Sequence, residues 1–129
     1  MTPISKTAQT TLDHLAALAR AAGGATRLDN RPGTYMPLCV EWIAADQLSL
    51  AHYGESNGDA MRDPDMVFWL APDRRWYPVS YRNDWTGTDR PAVEFGDDGR
   101  PRRYWPREQR SQATFAATWL RNIRAQQGV

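Results

Sequence analysis

The chain has 129 residues, of which 41% are hydrophobic and 24% charged, with a formal net charge of +1. That length and composition suit one globular domain over residues 1–129, burying about two-thirds of its unfolded surface. They exclude a membrane-spanning helix, because no run approaches the roughly 20 apolar residues that one needs. The near-neutral charge also argues against a protein built mainly to hold nucleic acid.

A single cysteine, Cys39, rules out an internal disulfide and fits a reducing compartment. Its place in an apolar run predicts a small buried thiol. The opening stretch, MTPISKTAQTTLDHL, lacks the apolar core of a signal peptide, so a cytoplasmic protein is expected. Charge is unevenly spread. Six acids and only Arg62 lie between Glu41 and Asp65, whereas seven arginines and only Glu108 follow from Arg100 onward. Fifteen of the sixteen basic residues are Arg, a bias explained more simply by a GC-rich coding genome than by a polyanion site.

In chain order, Thr10-Thr11-Leu12-Asp13 has the form of a capping box, in which hydroxyl and carboxylate satisfy free amide groups. Leu12, Leu15, Ala16, Ala19 and Ala22 then recur at helical spacing, and Gly23-Gly24 stops the helix. His14 falls off that stripe and is expected to be solvated. Thr26–Leu28 reads as a short first strand, followed by a turn at Asn30-Arg31-Pro32-Gly33. Met36, Leu38, Val40 and Trp42 alternate with Pro37, Cys39 and Glu41, the pattern of a half-buried strand. Pro37, lacking an N–H, belongs at its start or on an edge.

Leu48–Tyr53 and Met66–Leu70 are the next two strands, and Arg75–Arg82 a fourth. Asn83–Pro91 reads as a loop, Ala92–Phe95 as a short strand and Gly96–Gly99 as a turn. A closing helix starts at Pro106, where a missing N–H costs nothing. Its apolar stripe is Phe115, Ala116, Trp119, Leu120 and Ile123, with Arg121 and Arg124 toward the C-terminal end. Consecutive strands without crossover helices imply an antiparallel sheet. The expected fold is therefore α+β, a single sheet of about five strands. The N-terminal and C-terminal helices pack on one face, against Leu48, Leu50, Phe68 and Leu70.

The stretch richest in chemistry is Leu48–Leu70, where His52, Glu55, Asn57, Asp59, Asp63 and Asp65 crowd within a few turns of chain. Asn57-Gly58 is a strong two-residue hairpin signal. A tight turn there would set Leu50 opposite Asp65 and bury an unpaired carboxylate. A wider loop pairs Leu48 with Leu70, Leu50 with Phe68 and His52 with Met66, and keeps the apolar residues on one face. The wider loop, residues 54–64, is the expectation.

Three functional readings attach to it. His52, Glu55, Asp59 and Asp63 together offer nitrogen and oxygen ligands to a divalent metal. No HExxH or paired-His spacing accompanies them, and Tyr53 and Pro64 occupy the terminal ligand positions of a calcium loop. His52 with a carboxylate is an acid–base pair, but no Ser or Cys nucleophile is placed beside it. The simplest reading makes Asn57, Asp59 and Asp63 loop-builders and His52 a peg bonding a loop carboxylate or backbone group. Separately, Trp69, Trp76, Tyr77, Tyr81, Trp85, Tyr104 and Trp105 are interleaved with Arg74, Arg75, Arg82, Arg102 and Arg103. Such a face suits nucleic acid, though core packing accounts for many of these rings.

Leu50-Ala51-His52-Tyr53-Gly54-Glu55, Asn57-Gly58-Asp59, Met61, Asp63-Pro64 and Met66 resemble a signature, H-Y-x-E-x-N-G-D-x-M-x-D-P-x-M. It belongs to a family of small uncharacterised bacterial proteins. The resemblance reaches more loosely to the helix ending in Gly-Gly, to Tyr81–Asp84 with Gly87, and to the closing helix. It implies an accessory protein of a plasmid, integrative element or prophage, and carries over no catalytic residue. The reading that follows is a non-enzymatic protein-interaction module with no cofactor and no membrane partner. It would bind a host or element-encoded protein through His52, Tyr53, Glu55, Asn57, Asp59, Arg62 and Asp63. The alternatives are a divalent-metal enzyme centred on His52 and a nucleic-acid-binding accessory protein.

Overall fold

The computed structural model describes residues 1–129. Its first helix, α1 (Lys6–Ala21), begins a turn earlier than the Thr10 signal predicts. Ser5 is the N-cap, its hydroxyl accepting from the Ala8 amide at 3.2 Å. Thr10 instead returns its hydroxyl to the Lys6 carbonyl, and the Asp13 carboxylate accepts from the Trp76 indole at 2.7 Å. The apparent capping box is thus a mid-helix segment whose acid serves a tertiary contact. The helix ends as expected, with Gly23 and Gly24 at φ of 95° and 118°, angles that favour glycine.

Six strands follow as a meander: β1 (Ala25–Leu28), β2 (Leu38–Ala44), β3 (Gln47–Ser56), β4 (Asp59–Leu70), β5 (Trp76–Asn83) and β6 (Thr88–Pro91). They form one antiparallel sheet in sequence order. β7 (Val93–Phe95) and β8 (Pro101–Tyr104) pair as a separate two-stranded sheet, and α2 (Pro106–Gln127) closes the chain. The α+β class and antiparallel sheet agree with the sequence reading. The main sheet has six strands where about five are expected, because β6 lies inside the expected 83–91 loop, and β8, with no apolar alternation to betray it, pairs with β7 apart from that sheet. Pro37 immediately precedes β2, where no ladder donor is needed.

Both helices lie on one face of the main sheet. Leu12, Leu15 and Ala19 of α1 and Ala116, Trp119, Leu120 and Ile123 of α2 share one cluster with Leu38, Val40, Leu48, Leu50, Met66 and Phe68. Leu70 sits at its margin, partly buried. Phe115, read as part of the stripe, is 38% exposed. Three glutamines are buried instead, and Gln109 shows why. It accepts from the Thr2 amide at 2.8 Å and donates to the Pro78 carbonyl at 3.0 Å, joining three segments where water is excluded.

The opposite face is partly covered by the β7–β8 hairpin, where Phe95 meets Trp69 edge-on at a centroid distance of 5.8 Å. Cys39 projects from the second residue of β2, between Leu38 and Val40, which face the helices. Cys39 is therefore only half-buried, not the enclosed thiol expected. Burial still raises its pKa, with Arg27 opposing.

Candidate functional site

The centre of the sequence forms a ribbon and not a wide loop. Asn57 and Gly58 both have positive φ, 51° and 85°, as a type I′ turn requires. Ser56 therefore pairs with Asp59, Glu55 with Ala60, Gly54 with Met61 and Tyr53 with Arg62. The register then shifts, so that Ala51 pairs with Asp65, Leu50 with Met66 and Leu48 with Phe68. Between the two registers β3 holds His52 alone whereas β4 holds Asp63 and Pro64. That extra residue is a β-bulge, and it removes the objection to the tight turn. Leu50 is spared Asp65, and Met66 and Phe68 turn toward the helices. Pro64 has no N–H to lose from the ladder where the pairing is already interrupted.

The ribbon outruns the sheet. On one side the β2 ladder ends at Cys39–Ala51, and on the other the β5 ladder ends at Arg82–Asp65. Four cross-strand pairs, Tyr53–Arg62 to Ser56–Asp59, stand beyond both neighbours, a projection of about 13 Å at the usual rise per residue. Its base is braced by the segment following β5. The Asp84 carboxylate accepts from the Arg62 amide at 2.8 Å and from Arg62 Nε at 3.0 Å, and the Asp84 amide donates back to the Arg62 carbonyl at 2.9 Å. Arg82 lies 3.6 Å from the other Asp84 oxygen. Those bonds from Arg62, the backbone one first, hold the Asp84 carboxyl below its ordinary pKa. Asn83 donates to Asp63 at 3.2 Å and accepts from the Trp85 amide at 3.0 Å.

Trp85 then lies against Gly54, its ring 3.1 Å from where a β-carbon would stand. Successive residues point to opposite faces of a strand, so Trp85 and Tyr53 flank the ribbon on opposite sides. Both are open to solvent, Tyr53 by 43% and Trp85 by 50%. Burial, and then the nearby Asp65 carboxylate, raise the Tyr53 phenol above its usual pKa. At the tip Glu55 and Asp59 are exposed, and neither is in an ion pair.

The residues named as possible metal ligands do not converge. His52 lies on the helix side, 7% exposed, with Nδ1 donating to the Pro37 carbonyl at 2.9 Å and its ring edge-on to Trp119 at 5.6 Å. It pegs the β1–β2 loop rather than the acidic segment, because the alternation along β3 puts it on the face shared with Leu48 and Leu50. Asp63 is engaged by Asn83, and Glu55 and Asp59 are at the tip. No three His, Cys, Asp or Glu side chains group as metal ligands. Of the interleaved aromatic residues, Trp76 is 1% exposed and belongs to the core, so the face they suggested is not continuous. Sequence reasoning missed Asp84 as the brace of the ribbon. The only hint was its place in the Tyr81–Asp84 segment.

The architecture is that of an α+β protein whose exposed ribbon, not a cavity, is its most distinctive surface. The chain belongs to the DUF6908 family, a domain of unknown function whose pattern matches residues 7–129. No curated protein and no solved structure matches it. No helix is long and apolar enough to cross a membrane.

Proposed function

We propose that the chain is a single-domain, non-enzymatic protein-interaction module that inserts its β3–β4 ribbon into a groove of a partner protein. The observation that carries this is the pair of half-exposed aromatic rings, Tyr53 and Trp85, on opposite faces of a ribbon that extends beyond the β2 and β5 ladders. Tyr, Trp and Arg are the side chains most often found at energetic centres of interfaces. Here Arg62 joins them, already held in place by Asp84, so little side-chain freedom is lost on docking. Glu55 and Asp59, unpaired at the tip, call for a groove with basic side chains along its rim. The same acids repel phosphate, which counts against nucleic acid at this end of the molecule. Asn57 shapes the turn, Asp63 holds the ribbon's base through Asn83, and His52 ties the strand behind it to Pro37. The resemblance of the ribbon sequence to mobile-element proteins supports a host or element-encoded protein of a bacterial cytoplasm as the partner.

The test compares proteins captured from host lysate by the wild-type chain with those captured by a Tyr53→Ala/Trp85→Ala variant. A species retained by the first, lost by the second, and bound less tightly as salt rises supports the reading. Equal capture by both chains overturns it.

A further inference from the structure

A second feature lies at the opposite end of the sheet from the ribbon, where β2 and β4 finish and β5 starts. A cleft of about 510 Å³ opens there between α1 and the turn that leads into β5. Its N–H groups are almost all in use. The amides of Asp13, Ala16, Ala17 and Arg20 belong to α1 beyond its first turn. Trp42 donates its amide to the Gly24 carbonyl at 2.8 Å and its indole to the Ala16 carbonyl at 3.1 Å. The Leu70 amide donates to the Asp46 carbonyl at 2.8 Å. Trp76 donates its amide to Gln9 Oε1 at 3.1 Å and its indole to Asp13 Oδ1 at 2.7 Å. Both Asp13 oxygens also accept from Gln9 Nε2 at 3.3 Å. The donors left over are the guanidiniums of Arg20 and Arg74, both exposed and neither in an ion pair.

Arg74 occupies an unusual backbone position. Its φ is 68°, in the left-handed region that glycine or asparagine enters more easily. That backbone is held from both sides: the Arg74 amide donates to the Ala71 carbonyl and Gln9 Nε2 donates to the Arg74 carbonyl, each at 2.9 Å. A turn alone is better served by glycine, so a long cation here points to a role for its side chain. The remaining surface is apolar, with Ala16, Ala17 and Leu70 beside the two tryptophans. Arg20 lies over the Trp42 ring at 4.0 Å and Trp76 is 1% exposed. The cleft thus offers aliphatic carbon more than an open face for a planar ring. We propose that it binds a free monocarboxylic acid with an aliphatic body, of the fatty-acid type. The carboxylate accepts from Arg74 and Arg20, and the chain lies along Ala17 and Leu70. The volume is within the range of small-ligand sites. With Asp13, the lining carries two positive charges and one negative, which suits a monoanion better than a phosphate dianion. No amide is free to pair with a peptide main chain. An ammonium would meet two guanidiniums and a carboxylate that already accepts at both oxygens.

The experiment is an NMR titration of the ¹⁵N-labelled full chain with octanoate, read at the Trp42 indole N–H and the Leu70 and Arg74 amides. Octanoate should shift these signals saturably at roughly millimolar concentration or below. 1-Octanol, octylammonium and acetate, each lacking the anion or the chain, should bind about tenfold or more weakly. Octyl phosphate and the peptide acetyl-Ala-Ala-Leu, with its free terminal carboxylate, should also bind less tightly than octanoate. Arg74→Gly removes the cation and suits the left-handed backbone. Octanoate binding should therefore fall about tenfold or more while the melting temperature stays level or rises. Arg20→Gln should weaken binding in the same direction. No saturable shift with octanoate, equal binding of octanol, or a preference for octyl phosphate or the peptide would each overturn the assignment. So would undiminished binding by Arg74→Gly, or a lower melting temperature, which would make the arginine a servant of the fold. The cleft shares no residue with the ribbon surface, so this result is independent of partner capture.

Discussion

Trp85 closes over Gly54 at 3.1 Å from the position of a β-carbon, although the two are far apart in the chain. The contact is possible only because residue 54 has no side chain. The backbone at Gly54 is not in the left-handed region, so a larger residue there meets the indole and not a forbidden dihedral. Gly54→Val should therefore displace Trp85 while lowering stability by less than about 1 kcal/mol, since the ring is already half-exposed. The indole N–H resonance of Trp85 reports the displacement. An unmoved resonance would show that the ring is not held by this contact.

His52 bears on a different part of the fold. Its Nδ1 bond to the Pro37 carbonyl ties β3 to the segment entering β2. His52→Asn should cost about 1–3 kcal/mol, because a partly buried carbonyl loses its donor. The loosened segment should be residues 29–37, not the ribbon tip, and amide exchange distinguishes them. A melting curve that stays unchanged while zinc or manganese binding disappears would restore the metal reading.

Trp119 tests the packing of α2 on the sheet. It is 7% exposed, meets His52 edge-on at 5.6 Å and belongs to the cluster that both helices share with the sheet. Trp119→Ala should cost about 3–5 kcal/mol, the range for emptying a buried aromatic site. A loss below about 1 kcal/mol in denaturant melts would contradict that burial.

The alternation of Leu48 and Leu50, and of Met66 and Phe68, identifies which side of each strand meets the helices. It cannot fix the pairing. Leu48 meets Phe68 where Leu70 is the expectation, and a shift of two residues leaves every side chain on its original face. The Asn57-Gly58 signal for a tight turn is correct. It conflicts with the alternation only until the extra residue at Asp63-Pro64 is admitted, and a bulge leaves little trace in apolar periodicity. Contacts between distant segments are less legible still. Asp13 resembles a capping acid but binds Trp76, and His52 sits among acids in sequence yet bonds the Pro37 carbonyl. Trp85 stands out only as one aromatic residue among many until the fold lays it on Gly54.

Asp65 gives the last prediction, because its carboxylate works against the fold at neutral pH. Burial raises its pKa above the ordinary value, outweighing the Ser49 hydroxyl, which donates at 2.8 Å, and the charges of Arg62 and Arg82. A carboxyl whose pKa is higher folded than unfolded binds its proton more readily in the native state. Its contribution is therefore most favourable below the unfolded value of about 3.9 and is lost as pH rises through the folded pKa. Asp84 and Asp73 behave oppositely. Hydrogen bonds lower their pKa values, so what they add is present above the unfolded value and lost as pH falls through the folded one. Asp65→Asn keeps an acceptor for Ser49 and removes the buried charge. The variant should be more stable than the parent at pH 7. That advantage should shrink as pH falls toward about 4, where the parent's own carboxyl takes up a proton. Thermal melts of both chains between about pH 4 and 8 measure the difference. A variant less stable than the parent at pH 7 would mean that the attraction of Arg62 and Arg82 outweighs the cost of burying the charge.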